Sequence, residues 1–176
     1  MKTIKYFLCM VFCNLFRLLR IPNADPIMGC MLPFAKQGKW WQAALFSFIT
    51  MLSFDLITTQ LGIWTVITAG TYASLGLFFH FIYKNRRVSL PQYLVGGLSG
   101  VLLFDVITGV IFAPILFGMS FEQAFFGQIP FTLLHLASVG IFTILITPVL
   151  DKTIIGNSVL EDEVVWNKVI KQAILK

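Results

Sequence analysis

The sequence predicts an all-α, polytopic membrane protein with six transmembrane helices, the second of them short. Apolar side chains make up 57% of the 176 residues, and charged side chains make up only 12%. Soluble domains carry about a quarter of their residues as charges, so this chain lacks the charge needed to cover a globule. Long stretches are nearly free of charge: 41–83 contains only Asp55, and 88–150 contains only Asp105 and Glu122.

The same composition excludes several classes of function. A chain this apolar is neither a soluble enzyme nor a disordered protein. Its three cysteines include no CxxC pair, so they predict neither a disulfide framework nor a metal site. The net charge is +5, but the cations form short clusters between apolar runs, which is typical of cytoplasmic loops rather than of a nucleic-acid groove. We expect no nucleic-acid partner and no cofactor.

The first predicted helix covers residues 4–20, which is roughly 25 Å at 1.5 Å per residue and just long enough to span a bilayer. The segment resembles a cleavable signal, but Arg17, Arg20 and Asn23 interrupt the apolar run that a signal requires. We therefore interpret it as a retained helix. The two arginines lie at its outer end, against the positive-inside rule, and either reach to the headgroups or have a specific role.

A loop and a short second helix follow. The sequence Ile21-Pro22-Asn23-Ala24-Asp25-Pro26 brackets two turn-forming polar residues with prolines, which predicts a loop. Residues 26–35 are apolar but too few to cross a bilayer fully, and they must return to Lys36. The second helix is therefore predicted to be short.

Four further apolar segments are long enough to span, and we place their helices at about 40–60, 62–83, 91–116 and 124–150. Lys84, Arg86 and Arg87 mark a cytoplasmic loop between two of them. Both termini are then cytoplasmic. Residues 1–150 form the six-helix membrane domain, and 151–176 form a cytoplasmic tail with a short amphipathic helix.

Two aspartates lie inside predicted helices. Phe54-Asp55-Leu56-Ile57-Thr58 recurs as Phe104-Asp105-Val106-Ile107-Thr108, which suggests a weak internal duplication of the kind found in transporters. An aspartate in a membrane helix costs about 2.5–3.5 kcal/mol and is a functional candidate by default. Asp55 and Thr58 share a helical face, as do Asp105 and Thr108. The alternative is that each aspartate only bonds a neighbouring helix and fixes packing.

Two other helices carry polar stripes. Gln128, Thr132 and His135 follow i, i+4, i+7 spacing, and such a stripe is expected to face the bundle interior. His135 is then either a ligand-binding group or a hydrogen-bonding contact between helices. Trp64 and Thr68 lie in the outer half of the fourth helix, where they suit a planar solute, although an interfacial aromatic belt explains Trp64 equally well.

Together these features resemble the substrate-binding S components of energy-coupling factor (ECF) vitamin importers, which are six-helix membrane proteins. More narrowly, residues 21–27 look like the PNxxPI loop of a bacterial group of S-component-like proteins. Asp55 stands where that group has an aspartate near the outer end of a helix. The segments 103–112 and 120–130 are also similar, so the resemblance covers residues 4–150.

The resemblance implies a function and its partners. S components of the bacterial cytoplasmic (inner) membrane bind a small-molecule micronutrient from outside, and a transmembrane coupling protein with two ATPase subunits then drives its release inside. Family members dock through a small-xxx-small motif in the first helix, for which this chain has Cys9 and Cys13 instead of the usual alanines. Asn23 and Asp25 would form a lid. The full set of candidate solute-binding residues is Asn23, Asp25, Asp55, Thr58, Trp64, Thr68, Asp105, Thr108, Gln128 and His135.

Two alternatives remain at this point. Besides an S component, the chain is either an intramembrane aspartyl hydrolase in which Asp55 and Asp105 share a proton or, as a third class, an autonomous ion-coupled transporter or a purely structural membrane subunit. The hydrolase families usually have a Gly-x-Gly-Asp context, whereas Phe54 and Phe104 precede the aspartates here. We therefore expect that the protein is not an enzyme.

Overall fold

The computed structural model describes residues 2–154, and this part of the chain is all-helical. The predicted amphipathic helix of the tail lies outside the described residues. We number the helices α1 to α6 in chain order. Their bounds are Lys2–Leu18 (α1), Ile27–Gln37 (α2), Gln42–Ile57 (α3), Ile63–Tyr83 (α4), Leu90–Phe117 (α5) and Phe121–Leu150 (α6).

Three of the six helices, α4, α5 and α6, are long and apolar enough to cross a membrane. Helix α3 is apolar but has only 16 residues, α1 has 17 and α2 has 11. Together with the many large apolar side chains exposed on the bundle surface, these lengths indicate a membrane protein.

Turn chemistry sets the helix ends. Ser120 begins α6, where its Oγ accepts a hydrogen bond from the Gln123 backbone at 3.2 Å while the Gln123 side chain accepts one from the Ser120 backbone. Gly118 ends α5 with φ of 66°, a left-handed conformation that glycine adopts without strain. The α5–α6 connection is therefore short and well defined.

Helix α2 is the centre of the bundle. Every residue from Ile27 to Ala35 is buried, and α2 packs against α3, α4, α5 and α6. A helix that is apolar on all faces is stable only when neighbours surround it completely. Gly29 allows α2 and α6 to approach closely, since a Cβ atom there would lie 2.9 Å from the carbonyl oxygen of Phe142 in α6. The short helix predicted from the sequence is thus the core of the fold.

Helix α5 changes its winding halfway along. Residues Leu90–Asp105 are α-helical, Val106–Phe112 form a π-helix, and Ala113–Phe117 are α-helical again. Pro114 follows the π segment, and because proline has no N–H, it cannot donate to the carbonyl of the preceding turn. π-Helical segments are rare and are frequently found at functional sites. This change of winding begins directly after Asp105.

The connections group at two ends of the bundle. The α1–α2, α3–α4 and α5–α6 connections lie at one end, which we call the Asn23 end. The α2–α3 and α4–α5 connections and the end of α6 lie at the other, which we call the Lys36 end.

An ion pair closes the Lys36 end. The Lys36 Nζ lies 2.6 Å from the Oδ2 of Asp151. The same oxygen accepts a hydrogen bond from the Tyr93 hydroxyl at 2.8 Å. The Thr153 hydroxyl donates to the other carboxylate oxygen, Oδ1, at 2.7 Å. Burial favours the neutral form of Asp151, but the hydrogen bonds from Lys36, Thr153 and Tyr93 outweigh it and hold the pKa of Asp151 below its ordinary value of 3.8. The pair links α2, α5 and the segment after α6.

Candidate functional site

A cavity of about 400 Å³ lies at the Asn23 end, between α1, the α1–α2 loop, α3 and α6. Its volume falls in the range typical of small-molecule sites. It combines charged, amide, hydroxyl and aromatic side chains, in contrast to the apolar bundle around it. The lining residues are Arg17, Arg20, Ile21, Asn23, Ala24, Asp25, Phe54, Thr58, Gln60, Phe131 and His135.

The α1–α2 loop is fastened to α6 at two points. The Asn23 side-chain amide donates a hydrogen bond to the carbonyl of Phe131 at 3.1 Å, and the Asp25 backbone N–H donates to the Ser138 hydroxyl at 2.9 Å. Asn23 has φ of 56°, a left-handed conformation that asparagine tolerates better than most residues. The loop thereby holds Asn23 and Asp25 against the cavity.

Asp25 is buried at the beginning of α2, and both of its carboxylate oxygens are used. Oδ1 accepts a hydrogen bond from the Ile27 backbone N–H at 2.9 Å, and Oδ2 accepts one from the hydroxyl of Tyr72 in α4. The negative charge near the N-terminus of α2 is also favoured by the helix dipole. Asp25 therefore joins the loop, α2 and α4.

His135 lies between two carboxylates. Its Nδ1 is 3.0 Å from the Oδ1 of Asp105, and its Nε2 is 3.9 Å from the Oδ2 of Asp25. The ring is flanked edge-to-face by Phe104 and Phe131, each with its ring centre at 5.9 Å. Within residues 2–154, the His135 Nε2 and the Asp105 Oδ2 are buried without a hydrogen-bond partner. Buried polar atoms are usually paired, so these two point to a role beyond packing.

The π segment of α5 lies next to this cluster. Asp105 is the last residue before the change of winding, and it is only 1% exposed. Thr108, one turn later, is also buried and donates its hydroxyl hydrogen bond to the carbonyl of Phe104 at 2.7 Å. The wider turns thus begin where α5 presents its carboxylate to α6.

Arg17 in α1 and Arg20 in the loop after it line the cavity without an acidic partner. The Arg17 guanidinium carbon lies 4.1 Å above the Phe54 ring centre, and its Nη1 is 2.9 Å from the Met51 sulfur. Among residues 2–154, no carboxylate lies within 4.0 Å of Arg17 or Arg20. The positive charges therefore remain available to a bound molecule.

The structure brings five of the ten sequence-predicted residues together at this site. Asn23, Asp25, Thr58 and His135 line the cavity, and Asp105 contacts His135 directly. The Thr58 hydroxyl also donates to the Phe54 carbonyl at 2.9 Å.

Three of the predicted residues lie on α3 and α4 outside the lining. Asp55 accepts a hydrogen bond from the Thr65 hydroxyl at 2.6 Å, which ties α3 to α4 as the packing alternative predicts. Trp64 packs on the Phe117 ring with centres 5.5 Å apart. The Thr68 hydroxyl donates to the Trp64 carbonyl at 3.0 Å.

The other two lie on the α5–α6 side, where Thr108 bonds its own helix and Gln128 lies beside Gly109. A second cavity of about 280 Å³ separates the two helices there, and Asp105, Gln128 and Thr132 contribute its polar groups. The polar residues predicted to share one face of α6 therefore line two different cavities. His135 lines the cavity at the Asn23 end, and Gln128 lines the cavity between α5 and α6.

Seven lining residues were not among the sequence-predicted site residues: Arg17, Arg20, Ile21, Ala24, Phe54, Gln60 and Phe131. The signal for the arginines was present in the sequence, because they violate the positive-inside pattern that the other cations follow. Gln60 and Phe131 carry no comparable signal, since their approach depends on how α3 and α6 pack.

The predicted docking residues of α1 differ in accessibility. Cys13 is fully buried, with its sulfur 3.9 Å from the sulfur of Cys30 in α2, whereas Cys9 is half-buried. This conformation thus presents Cys9, but not Cys13, at the surface of α1.

Comparison with protein-family models, with curated proteins and with solved structures finds no match to this chain. The chemistry of the site follows from its side chains. Unpaired guanidinium groups bind carboxylates and phosphates, and a histidine between carboxylates exchanges hydrogen bonds or a proton. Within the described residues, no group of three or more His, Cys, Asp or Glu side chains is arranged to hold a metal ion.

Proposed function

We propose that this chain is the solute-capture (S) subunit of an ECF-type importer in the bacterial cytoplasmic membrane. The observation that carries the proposal is the cavity at the Asn23 end, which combines Arg17, Asn23, Asp25, Thr58 and His135 inside an otherwise apolar bundle. Concave sites with a few convergent polar groups are typical of small-molecule binding. Its solute would be a small vitamin-like micronutrient.

The charge distribution orients the proposed subunit. Lys36, Lys39, Lys84, Arg86 and Arg87 all belong to the Lys36 end of the bundle. The positive-inside rule places that end in the cytoplasm, together with both termini. The cavity then opens on the outer side, where an importer first meets its solute.

Six transmembrane segments suit the observed helix lengths if the bilayer adapts to the shorter ones. Helices α1 and α3, with 17 and 16 residues, are slightly short, and a short segment is accommodated by local thinning of the bilayer. Helix α2 is surrounded by protein, so it needs no full span of its own. This arrangement is the proposed multi-pass topology.

An energising module is part of the proposal. The chain lacks a phosphate-binding loop, so ATP hydrolysis would come from a separate transmembrane coupling protein with two ATPase subunits. The surface of α1 that includes Cys9 is the proposed docking face. Contact through Cys13 would require α1 to move away from Cys30.

The proposal is tested by purifying the full chain in mild detergent and identifying small molecules released on denaturation. We expect one vitamin-like compound in near-stoichiometric amount. Thr58→Val, which alters the cavity wall, should reduce its retention. Thr71→Val is the matched control, because Thr71 makes the same backbone hydrogen bond within α4 but lies outside the cavity. An empty protein that also captures no coupling subunits would contradict the proposal.

A second candidate function, an autonomous ion-coupled transporter, is favoured by the Asp25–His135–Asp105 cluster. Chains of buried carboxylates and histidines serve as proton relays in such carriers. The two functions differ in what the isolated chain can do. Proton-driven solute flux in proteoliposomes that contain only this chain would favour the carrier, and flux that needs coupling subunits and ATP would favour the S subunit.

A further inference from the structure

The cavity carries two binding groups that the chain itself leaves unused. One is the pair of guanidinium groups from Arg17 and Arg20, which have no carboxylate within 4.0 Å in residues 2–154. The other is the Nε2 of His135, which lacks a hydrogen-bond partner in the same residues. Arg17 comes from α1, Arg20 from the α1–α2 loop and His135 from α6, and all three residues line the same cavity.

Arg17 is held in position without being neutralised. The Phe54 ring supports the face of its guanidinium group at 4.1 Å, and the Met51 sulfur lies 2.9 Å from one nitrogen. Neither contact supplies a negative charge. A guanidinium group has five N–H donors in a planar fork, a geometry that matches carboxylate and phosphate oxygens. The aromatic contact thus leaves the edge of the fork for an anion.

His135 supplies a second anchor of different chemistry. Its side chain is 3% exposed, and the hydrogen bond between its Nδ1 and Asp105 fixes the ring. Its Nε2 faces the Asp25 Oδ2 at 3.9 Å and has no hydrogen-bond partner within residues 2–154. An imidazole nitrogen either donates or accepts a hydrogen bond, so Nε2 suits a polar group of a bound molecule.

We propose that the solute is a small organic anion, whose carboxylate or phosphate binds Arg17 and Arg20 and which carries a second polar group that hydrogen-bonds to the Nε2 of His135. The inference rests on the proposed function, because it names the chemical class of the molecule captured in that cavity. Phe54 and Phe131 offer apolar surface to the body of the solute. A cationic solute is disfavoured, because two guanidinium groups face one carboxylate in the lining, and both oxygens of that carboxylate, Asp25, already accept hydrogen bonds within the protein.

An anionic lipid headgroup and a soluble metabolite share this anion chemistry, so the test separates the two. The full chain is reconstituted in nanodiscs of zwitterionic phosphatidylcholine and incubated with the aqueous, lipid-free metabolite extract of its host cells. After washing, the protein is denatured and released compounds are identified by mass spectrometry. We expect one retained compound with at least one negative charge.

Charge-removing variants test the role of the arginines. Arg17→Gln and Arg20→Gln should each reduce the retained amount at least about tenfold, the loss expected for a charge-assisted hydrogen bond. Arg17→Lys should restore part of it, since it keeps the charge but not the fork. Arg86→Gln is the matched control, because Arg86 is an exposed arginine in the α4–α5 connection. Arg20 is also exposed, so Arg20→Gln should leave folding intact. If Arg17→Gln fails to fold, the compound retained by Arg20→Gln alone tests whether the arginines bind the anion.

Each other outcome overturns a defined part of the argument. A neutral or cationic retained compound, or an anion that both glutamine variants retain like the wild type, overturns the anion inference and leaves solute capture standing. The anion inference is also overturned if the only bound anion is a phospholipid carried over from the expression membrane. A wild-type protein that retains nothing overturns the anion inference, and it overturns the proposed function as well if the chain also captures no coupling subunits.

Discussion

The Nδ1 of His135 lies 3.0 Å from the Oδ1 of Asp105, although the two residues are 30 positions apart in the sequence. This contact joins α6 to α5 where α5 changes its winding. The other nitrogen of the same ring points towards Asp25, with a distance of 3.9 Å to its Oδ2. His135 thereby connects the loop before α2 with the middle of α5.

We expect His135→Ala to destabilise the protein by about 1.5–3 kcal/mol, because it leaves the buried Asp105 carboxyl group without its hydrogen-bond partner. The double variant His135→Ala with Asp105→Ala should be less unstable than the sum of the single variants, by about 0.5–3 kcal/mol. Unfolding in detergent micelles, followed by circular dichroism, measures this coupling. Additive losses would show that the two side chains do not interact.

Tyr72→Phe removes the hydroxyl that donates to the buried Asp25 carboxylate. We expect a loss of about 1.5–3 kcal/mol, the range for a hydrogen bond to a charged group. Tyr83→Phe is the control, because the Tyr83 hydroxyl donates to the neutral carbonyl of Gln92 and should be worth about 0.5–1.5 kcal/mol. Equal losses in the two variants would argue against an ionised Asp25.

The Lys36–Asp151 pair should make stability depend on acidity. The folded-state pKa of Asp151 is below its ordinary value of 3.8, so the unfolded chain takes up the proton first as the pH falls. The contribution of the pair is fully present above the unfolded pKa and is lost as the pH falls through the folded pKa. Melting temperatures recorded from pH 6 downwards measure the effect.

Lys36→Met should weaken this acid dependence, since the cation that holds the proton off Asp151 is gone. Lys39→Met is the matched control, because Lys39 is exposed and forms no salt bridge within residues 2–154. If Lys36→Met and the wild type lose stability in parallel on acidification, another group is responsible.

Gly29→Ala should separate α2 from α6. The new Cβ would lie 2.9 Å from the Phe142 carbonyl oxygen, a backbone atom that cannot move alone, and overpacking of this kind costs about 1–3 kcal/mol. Gly140→Ala in α6 is the control, because a Cβ there meets no atom within 4 Å and alanine favours the helix by about 1 kcal/mol. Thermal unfolding of both variants should show a lower melting temperature for Gly29→Ala and a higher one for Gly140→Ala.

Hydropathy and turn chemistry predicted the helices well. The predicted segment 62–83 corresponds to Ile63–Tyr83, and 124–150 corresponds to Phe121–Leu150. The covalent chain determines such segments locally, through runs of apolar residues bounded by loop-forming residues. The π-helical part of α5 was not predicted, because no hydropathy pattern distinguishes it from an α-helix.

Side-chain partners were harder to predict than helices. The sequence placed Asp55 with Thr58 on one helical face, but its carboxylate accepts from Thr65, beyond the α3–α4 turn. The aspartates of the two similar pentapeptides have different partners, since Asp105 bonds His135. Such contacts depend on how whole helices pack, which the local sequence does not specify.

The complete enclosure of α2 has a consequence for biogenesis. Its walls include α6, which is the last of the described helices to leave the ribosome. Until α6 has emerged, an 11-residue helix too short to span has no surroundings that bury all of its faces. Final assembly must therefore wait for α6, and nascent chains that end before α6 should be substrates for membrane chaperones and quality-control proteases.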